Sequence, residues 1–311
     1  MQNKIDPAPL LLPNKSGAGL TIAILKDTIS NRTLSTFFER SIMNEKSAIF
    51  VDIDECLLSS SGNVCRDYYE ANVEIAKMVM AGQVGRGPLI RLCSGRDRSS
   101  VEMVAKFFGM VNYWAIVESG AFLFNPTTHK FLPNPVITPE TEKLFGRLEK
   151  GVIPAILKRH DCLQKCLGYK ICQVLEKRSG SSVSIEAIYN EIMQGRWIKH
   201  NWSLRKLALV RKIDVKHYFD RILVVLPNGV NKGSGAKFLA EIEGLDLSSS
   251  IAIGDSELDI SLFRRVKHIG CPSNATSVCK EFVKNRRGRI SKFPYTQGVL
   301  DVINWYLGSQ E

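Results

Sequence analysis

The stretch Ala48-Ile49-Phe50-Val51-Asp52-Ile53-Asp54 decides how this chain is read. A short, continuous apolar run of this kind reads as a buried strand. Residues i and i+2 of an extended chain lie on one side. Asp52 and Asp54 therefore converge at the strand tip, where their charges repel. Such an arrangement calls for a bound cation, a shared proton, or both. A solvated acidic turn after a strand shows the same pattern, so the pair gains meaning only from the rest of the chain.

Two further apolar runs end in polar residues of defined type. Pro88-Leu89-Ile90-Arg91-Leu92-Cys93 stops at Ser94-Gly95-Arg96, and Ser250-Ile251-Ala252-Ile253 stops at Gly254-Asp255-Ser256-Glu257-Leu258-Asp259. Asn231-Lys232-Gly233 stands between them, before a predicted helix at Ala236–Glu243. Other predicted helices cover Tyr68–Met80, Ser99–Phe108 and Ser184–Met193, and one running from Thr138-Pro139 to about Lys158 with an interruption at Gly151. Strands are predicted at Trp114–Val117, Ala121–Phe124, Tyr169–Leu175 and Arg221–Leu226. In residues 1–45 a strand at Leu20–Leu25 and a helix near Thr33–Ile42 are the only elements suggested. Strands alternate with helices at both ends of the chain, which predicts an α/β fold with a parallel sheet covered on both faces. The middle, 136–224, has its own mix and reads as an insertion. In such sheets ligands bind outside the carboxyl ends of the strands, which gathers the three polar tips.

Composition sets the class. The chain has 311 residues, 44% of them hydrophobic and 23% charged, as in an ordinary globular protein of about two domains. No apolar stretch approaches the ~20 residues of a membrane-spanning helix. The N-terminus lacks a secretory signal's basic start and long apolar segment, so the expected place is the cytoplasm. Eight cysteines without a regular framework agree with reduced thiols. His160, Cys162, Cys166 and Cys172 are of zinc-ligating type, but their spacings match no familiar zinc pattern. The net charge of +11 is concentrated in Arg196–Arg221 and in Lys280–Lys292. Basic surfaces attract phosphates, yet most are solvated faces, and no nucleic-acid motif accompanies these. The sequence does not specify an oligomeric state.

Taken in order, the motifs resemble those of the haloacid dehalogenase superfamily of phosphohydrolases. They are Asp52-Ile53-Asp54, Ser94-Gly95-Arg96, Lys232 and Gly254-Asp255-Ser256-Glu257-Leu258-Asp259, and the resemblance covers residues 46–306. The long gap between Ser94 and Lys232 is similar to that of the C2-capped subclass, which includes Cof-type and sucrose-phosphatase-like members. The loop Gly270-Cys271-Pro272-Ser273-Asn274-Ala275 also resembles that subclass. The resemblance implies a Rossmann-like core at 46–135 and 225–311 and an α/β C2 cap at 136–224. It implies Mg2+ as cofactor and a small phosphorylated substrate, a phosphosugar being the leading class.

By that resemblance Asp52 is the nucleophile and Asp54 the acid and base. Ser94 and Lys232 hold the phosphoryl oxygens. The metal falls to Asp52, the backbone carbonyl of Asp54, and Asp255. Gly95, Arg96, Asp259 and Asn274 are supporting or phosphate-binding residues. The chemistry is consistent: phosphoryl transfer needs positioning and charge stabilisation more than covalent help. Glu55, Cys56, Ser119 and Leu258 depart from the usual family residues without removing a catalytic group. A dehalogenase needs neither a second aspartate nor a metal. A phosphomutase or phosphotransferase, and a non-catalytic anion- or nucleic-acid-binding protein on the same scaffold, are the other readings.

Overall fold

The computed structural model describes residues 46–59, 68–194, 204–218 and 220–309. The expectations for residues 1–45 lie outside the described residues, as does the 196–203 part of the basic stretch.

Strand β1 (Ala48–Val51) sends Ile49 and Val51 into one apolar cluster and Ala48 and Phe50 into another, so both faces of the strand are buried. That is why the run is apolar throughout rather than alternating. The chain continues through β2 (Leu89–Leu92), β3 (Ala115–Val117), β4 (Phe122–Asn125) and β5 (Lys130–Pro133). Then come β6 (Leu163–Lys165), β7 (Gln173–Lys177), β8 (Ile213–Tyr218) and β9 (Ile222–Pro227). It ends with β10 (Ile251–Ile253), β11 (His268–Cys271) and β12 (Arg289–Ile290).

The central sheet is parallel, in the order β12-β11-β10-β1-β2. A bridge from Cys93 to Ile116 sets β3 beside β2, and β3, β4 and β5 form an antiparallel meander. Helices Tyr69–Gln83 and Tyr295–Gly308 cover one face through Ile75, Val79, Val299, Val302 and Ile303. Helices Lys232–Glu243 and Ser277–Asn285 cover the other through Ala236, Leu239, Cys279 and Val283. Because β1 and β10 are neighbours, the residues that follow them, Asp52 and Asp255, share one rim.

A second sheet, antiparallel in the order β6-β7-β9-β8, lies between β5 and the helix Lys232–Glu243 in sequence. Helices Ile185–Gln194 and Leu204–Leu209 bury Ile188, Ile192, Leu204 and Leu207 in one cluster with Ile213, Leu223 and Val225. Thr138 caps the helix Pro139–Arg147, its hydroxyl accepting from the Thr141 N–H at 3.3 Å. The expected interruption is a π-turn at Leu148–Val152, before Ile153–Arg159. β5, β6, β8, β11 and β12 have no counterpart among the expected strands, and two expected elements begin elsewhere. β7 begins at Gln173 because the preceding residues are held as a loop, described below. The helix expected from Ala236 begins at Lys232, where Asn231 and Ser234 form a reciprocal cap. Among the described residues no helix is long and apolar enough to cross a membrane.

Candidate active site

Asp52 is the first residue past β1, and its N–H still bonds to the Ile253 carbonyl at 3.0 Å. Its Oδ1 accepts the Ile53 N–H at 2.7 Å, which fixes the carboxylate at the rim. Its Oδ2 lies 2.8 Å from Lys232 Nζ, and the same nitrogen donates to Asp259 Oδ1 at 2.6 Å. Lys232 is 2% exposed and Asp259 0%. A lysine this deep is tolerated only when paired and bonded.

The loop after β10 is tied by Asp259. Its Oδ2 accepts from the Asp255 N–H at 3.0 Å, the Ser256 N–H at 3.1 Å and the Ser256 hydroxyl at 3.3 Å. A Cβ on Gly254 would sit 2.2 Å from Asp259 Cγ, so only glycine admits this carboxylate. Lys232 is placed from the other side. Gly120 has φ +99°, and a Cβ there would lie 2.1 Å from the Asn231 carbonyl. The turn after β3 thus presses directly on the residue before Lys232.

Asp52, Asp255 and Asp259 bring carboxylate oxygens within 4.8 Å of one another, all buried. With Lys232 protonated, three ionised carboxylates leave two negative charges over. The Asp255 carboxylate receives no hydrogen bond among the described residues. Burial, joined by Asp259 and Asp52, pushes it up to about 10, and burial with the Asp259 and Asp54 charges pushes Asp52 up to about 7 despite Lys232. Burial works against the charge on Lys232, but Asp259 and Asp52 outweigh it and hold the ammonium well above its usual range. Crowded oxygen ligands with a surplus of two negative charges fit a hard divalent cation such as Mg2+.

Asp54 stands at the mouth, its side chain 48% exposed. It is outside the carboxylate cluster of Asp52, Asp255 and Asp259. Arg96 holds that side chain: Nε reaches the two oxygens at 3.0 and 2.9 Å, and Nη2 reaches Oδ1 at 2.6 Å. Ser94 is fully buried, and its hydroxyl oxygen accepts the Arg96 N–H at 3.1 Å. Its hydroxyl hydrogen has no acceptor among the described residues. Gly95 lies beside Ser119, whose Oγ would be 3.3 Å from an added Cβ. Asn274 acts on the loop rather than at the cluster. It donates to the Glu55 carbonyl at 2.8 Å and accepts the Tyr295 N–H at 2.8 Å. It therefore pins the turn after Asp54, where Glu55 has φ +55°. Cys56 is buried, and burial pushes its thiol well up, away from the reactive form.

No motif in the sequence marks one residue beside the site. Glu118 is buried at the end of β3 with φ +48°. Its carboxylate accepts the N–H groups of Lys170 at 2.6 Å, Ile171 at 3.0 Å and Cys172 at 3.1 Å. This clamp keeps 170–172 out of β7. Burial raises its pKa in spite of those three bonds. The four zinc-type residues do not gather. His160 lies 3.7 Å from Glu191, Cys166 lies 3.9 Å from Glu176, and Cys172 donates to the Glu118 carbonyl. Among the described residues the aspartate trio is the only such gathering of three potential ligands.

A family model for haloacid dehalogenase-like hydrolases matches residues 199–303. The sucrose-phosphatase of Synechocystis, solved with sucrose and phosphate, shares the fold. Its TM-score is 0.59 and its identity 13%, over 85% of this chain and 98% of that one. A haloacid dehalogenase-like hydrolase from Bacteroides thetaiotaomicron has a TM-score of 0.60 at 15% identity, over 84% and 99%. A phosphoglycolate phosphatase from Methanosarcina acetivorans is 34% identical over 76 residues, 24% of this chain. The matched segment spans only 32% of that relative's length. The parallel sheet, the aspartates at its rim and the family match define a haloacid dehalogenase-type hydrolase fold. Over residues 199–303 the chain is similar to the haloacid dehalogenase-like hydrolases.

Proposed function

We propose that the chain is a Mg2+-dependent phosphatase that hydrolyses a small phosphate monoester through an aspartyl-phosphate on Asp52. The observation that carries this reading is the buried chain Asp52–Lys232–Asp259, with Asp255 alongside. It sets a carboxylate nucleophile next to a fixed positive charge and an anionic cluster suited to a divalent cation. Two of the similar proteins, from Methanosarcina and Synechocystis, are phosphatases by name.

Asp52 Oδ1 and Oδ2 are held by the Ile53 N–H and by Lys232, so attack on phosphorus requires little reorganisation. The third N–H of Lys232 and the uncommitted Ser94 hydroxyl hydrogen are donors for phosphoryl oxygens, which carry the charge of the transition state. Asp54, at the exposed mouth, protonates the leaving oxygen and later takes a proton from the water that cleaves the aspartyl-phosphate. Arg96 keeps that carboxylate oriented. A bound Mg2+, held by Asp52, the Asp54 carbonyl and Asp255, would supply the charge neutralisation that lets carboxylate and phosphate approach. Residues 46–135 and 225–311 form the catalytic core, and 136–224 act as a C2 cap that excludes water. The described cysteines are free thiols, which fits the cytoplasm.

The test is turnover of p-nitrophenyl phosphate with Mg2+ by the wild type and by Asp52→Asn. The variant keeps the wild-type circular dichroism spectrum and loses at least about 10³-fold in kcat, the order expected when a covalent nucleophile is removed. Activity persisting in the folded variant rules out Asp52 as nucleophile.

A further inference from the structure

The second sheet has two unlike faces. In an antiparallel pair, successive side chains alternate, and partners across the ladder share a side. The register Ile213–Pro227, Val215–Val225 and His217–Leu223 puts these residues together. That face is covered by helices, since Leu223 and Val225 share a cluster with Ile188, Ile192 and Leu204, and the His217 ring lies 4.7 Å from that of Tyr189. Lys216 and Tyr218 therefore point to the opposite side, with Ile222, Val224 and Glu176.

That opposite side looks onto the rim of the parallel sheet. Burial raises the pKa of the Tyr218 hydroxyl, opposed by the Lys232 charge and reinforced by those of Asp214, Glu257 and Asp259. At the other end, the charge of Asp97, the neighbour of Arg96, acts on Cys166. A Cβ on Gly168 would come within 3.1 Å of the Asp97 carboxyl carbon. Of the other charges on this face, Glu176 binds Arg221 at 2.7 Å, and Asp214 accepts from the neutral Asn228 amide at 3.0 Å. Lys216 is half-buried and has no carboxylate partner among the described residues. A partly desolvated ammonium without a partner gains most when an anion arrives.

We propose that Lys216, with Tyr218 beside it, binds a second anionic group on the substrate's leaving side. The substrate class is then a phosphate monoester that also carries a carboxylate or a second phosphate, not a neutral sugar phosphate. This rests on the phosphatase reading above. Of the other basic residues on the described part of the same stretch, Arg205 and Lys206 are exposed on the helix Leu204–Leu209, which covers the far face, Arg211 and Lys212 are exposed before β8, and Arg221 is paired with Glu176.

The test compares kcat/KM of the wild-type enzyme, with Mg2+, for four monoesters and p-nitrophenyl phosphate. 2-Phosphoglycolate and 3-phosphoglycerate carry the carboxylate, fructose 1,6-bisphosphate the second phosphate, and glucose 6-phosphate neither. At least one anionic substrate is expected to exceed glucose 6-phosphate by about tenfold or more, and the preferred arm names the group. Lys216→Met raises the KM for that substrate about 10- to 100-fold, the range for losing a hydrogen bond to a charged group, with kcat little changed. Lys216→Arg recovers most of the affinity, and Lys206→Met leaves KM as it was. The assignment is overturned if glucose 6-phosphate is as good a substrate, or if Lys216→Met weakens every substrate alike. Failure of the wild type to turn over any ester, p-nitrophenyl phosphate included, instead overturns the phosphatase reading.

Discussion

Lys232 joins the two halves of the site. One ammonium bonds Asp52, which follows β1, and Asp259, which ties the loop after β10. Its own position comes from the Asn231–Ser234 cap and from the turn at Gly120 that presses on Asn231. Three carboxylates around it repel one another, so removing the lysine leaves buried negative charge without compensation. Breaking one partner of a buried pair typically costs about 3–5 kcal/mol. Lys232→Met is therefore expected to lower the unfolding free energy by about that much at neutral pH in chelator, as read by urea denaturation, as well as to abolish turnover. A loss below about 1 kcal/mol would mean that the lysine serves catalysis alone and does not hold the rim together.

At the scale of elements, the site depends on a contact between segments far apart in sequence. Glu118 and the Lys170 N–H are 52 positions apart, and the bond between them arrests β7 at Gln173. Truncating Glu118 leaves three N–H groups without acceptors. Glu118→Ala should speed amide exchange at Lys170, Ile171 and Cys172 at least about tenfold, since each lost bond is worth roughly 1 kcal/mol. Amides of β1 and β10 should keep their protection, and unchanged exchange in the loop would show that it is held by other contacts. No pattern in the sequence announces this clamp, because a lone glutamate between two short strands carries no period. The motif strands were legible for the opposite reason: β1 and β10 are buried on both faces, and that writes a continuous apolar run. β8 was hidden. Only its Ile213, Val215 and His217 side meets helices, so charges alternate with apolar residues and the segment reads as part of a basic stretch. The sequence pattern starts the helix at Ala236 rather than at Lys232 because Gly233 and Gly235 weaken the helical pattern just where close packing requires them. The motif order disclosed which residues meet at the rim. That Arg96 holds Asp54, 42 positions away, follows only from the crossing of strands.

Over the whole molecule, the rim links stability to pH and to metal. Folding raises Asp52 to about 7 and Asp255 to about 10, both from 3.8. Between the unfolded and folded values the native protein holds more protons than the unfolded chain. Stability therefore falls as pH rises through that window. For Asp52 the loss runs from about pH 4 to 7, and for Asp255 it continues towards 10. On the proposed function, a divalent cation would replace those protons and bind only the folded arrangement, and so would stabilise by mass action. The expected result is a rise in Tm with 10 mM Mg2+, relative to chelator, that is larger at pH 8 than at pH 5. Replacing Asp255 by Asn should remove most of the difference, because it deletes both a proposed ligand and the group with the larger shift. Differential scanning fluorimetry at the two pH values reads this directly. An equal Mg2+ increment at both pH values, or one that survives Asp255→Asn, would place the bound cation away from the aspartate cluster and leave the carboxylates to be neutralised by protons alone.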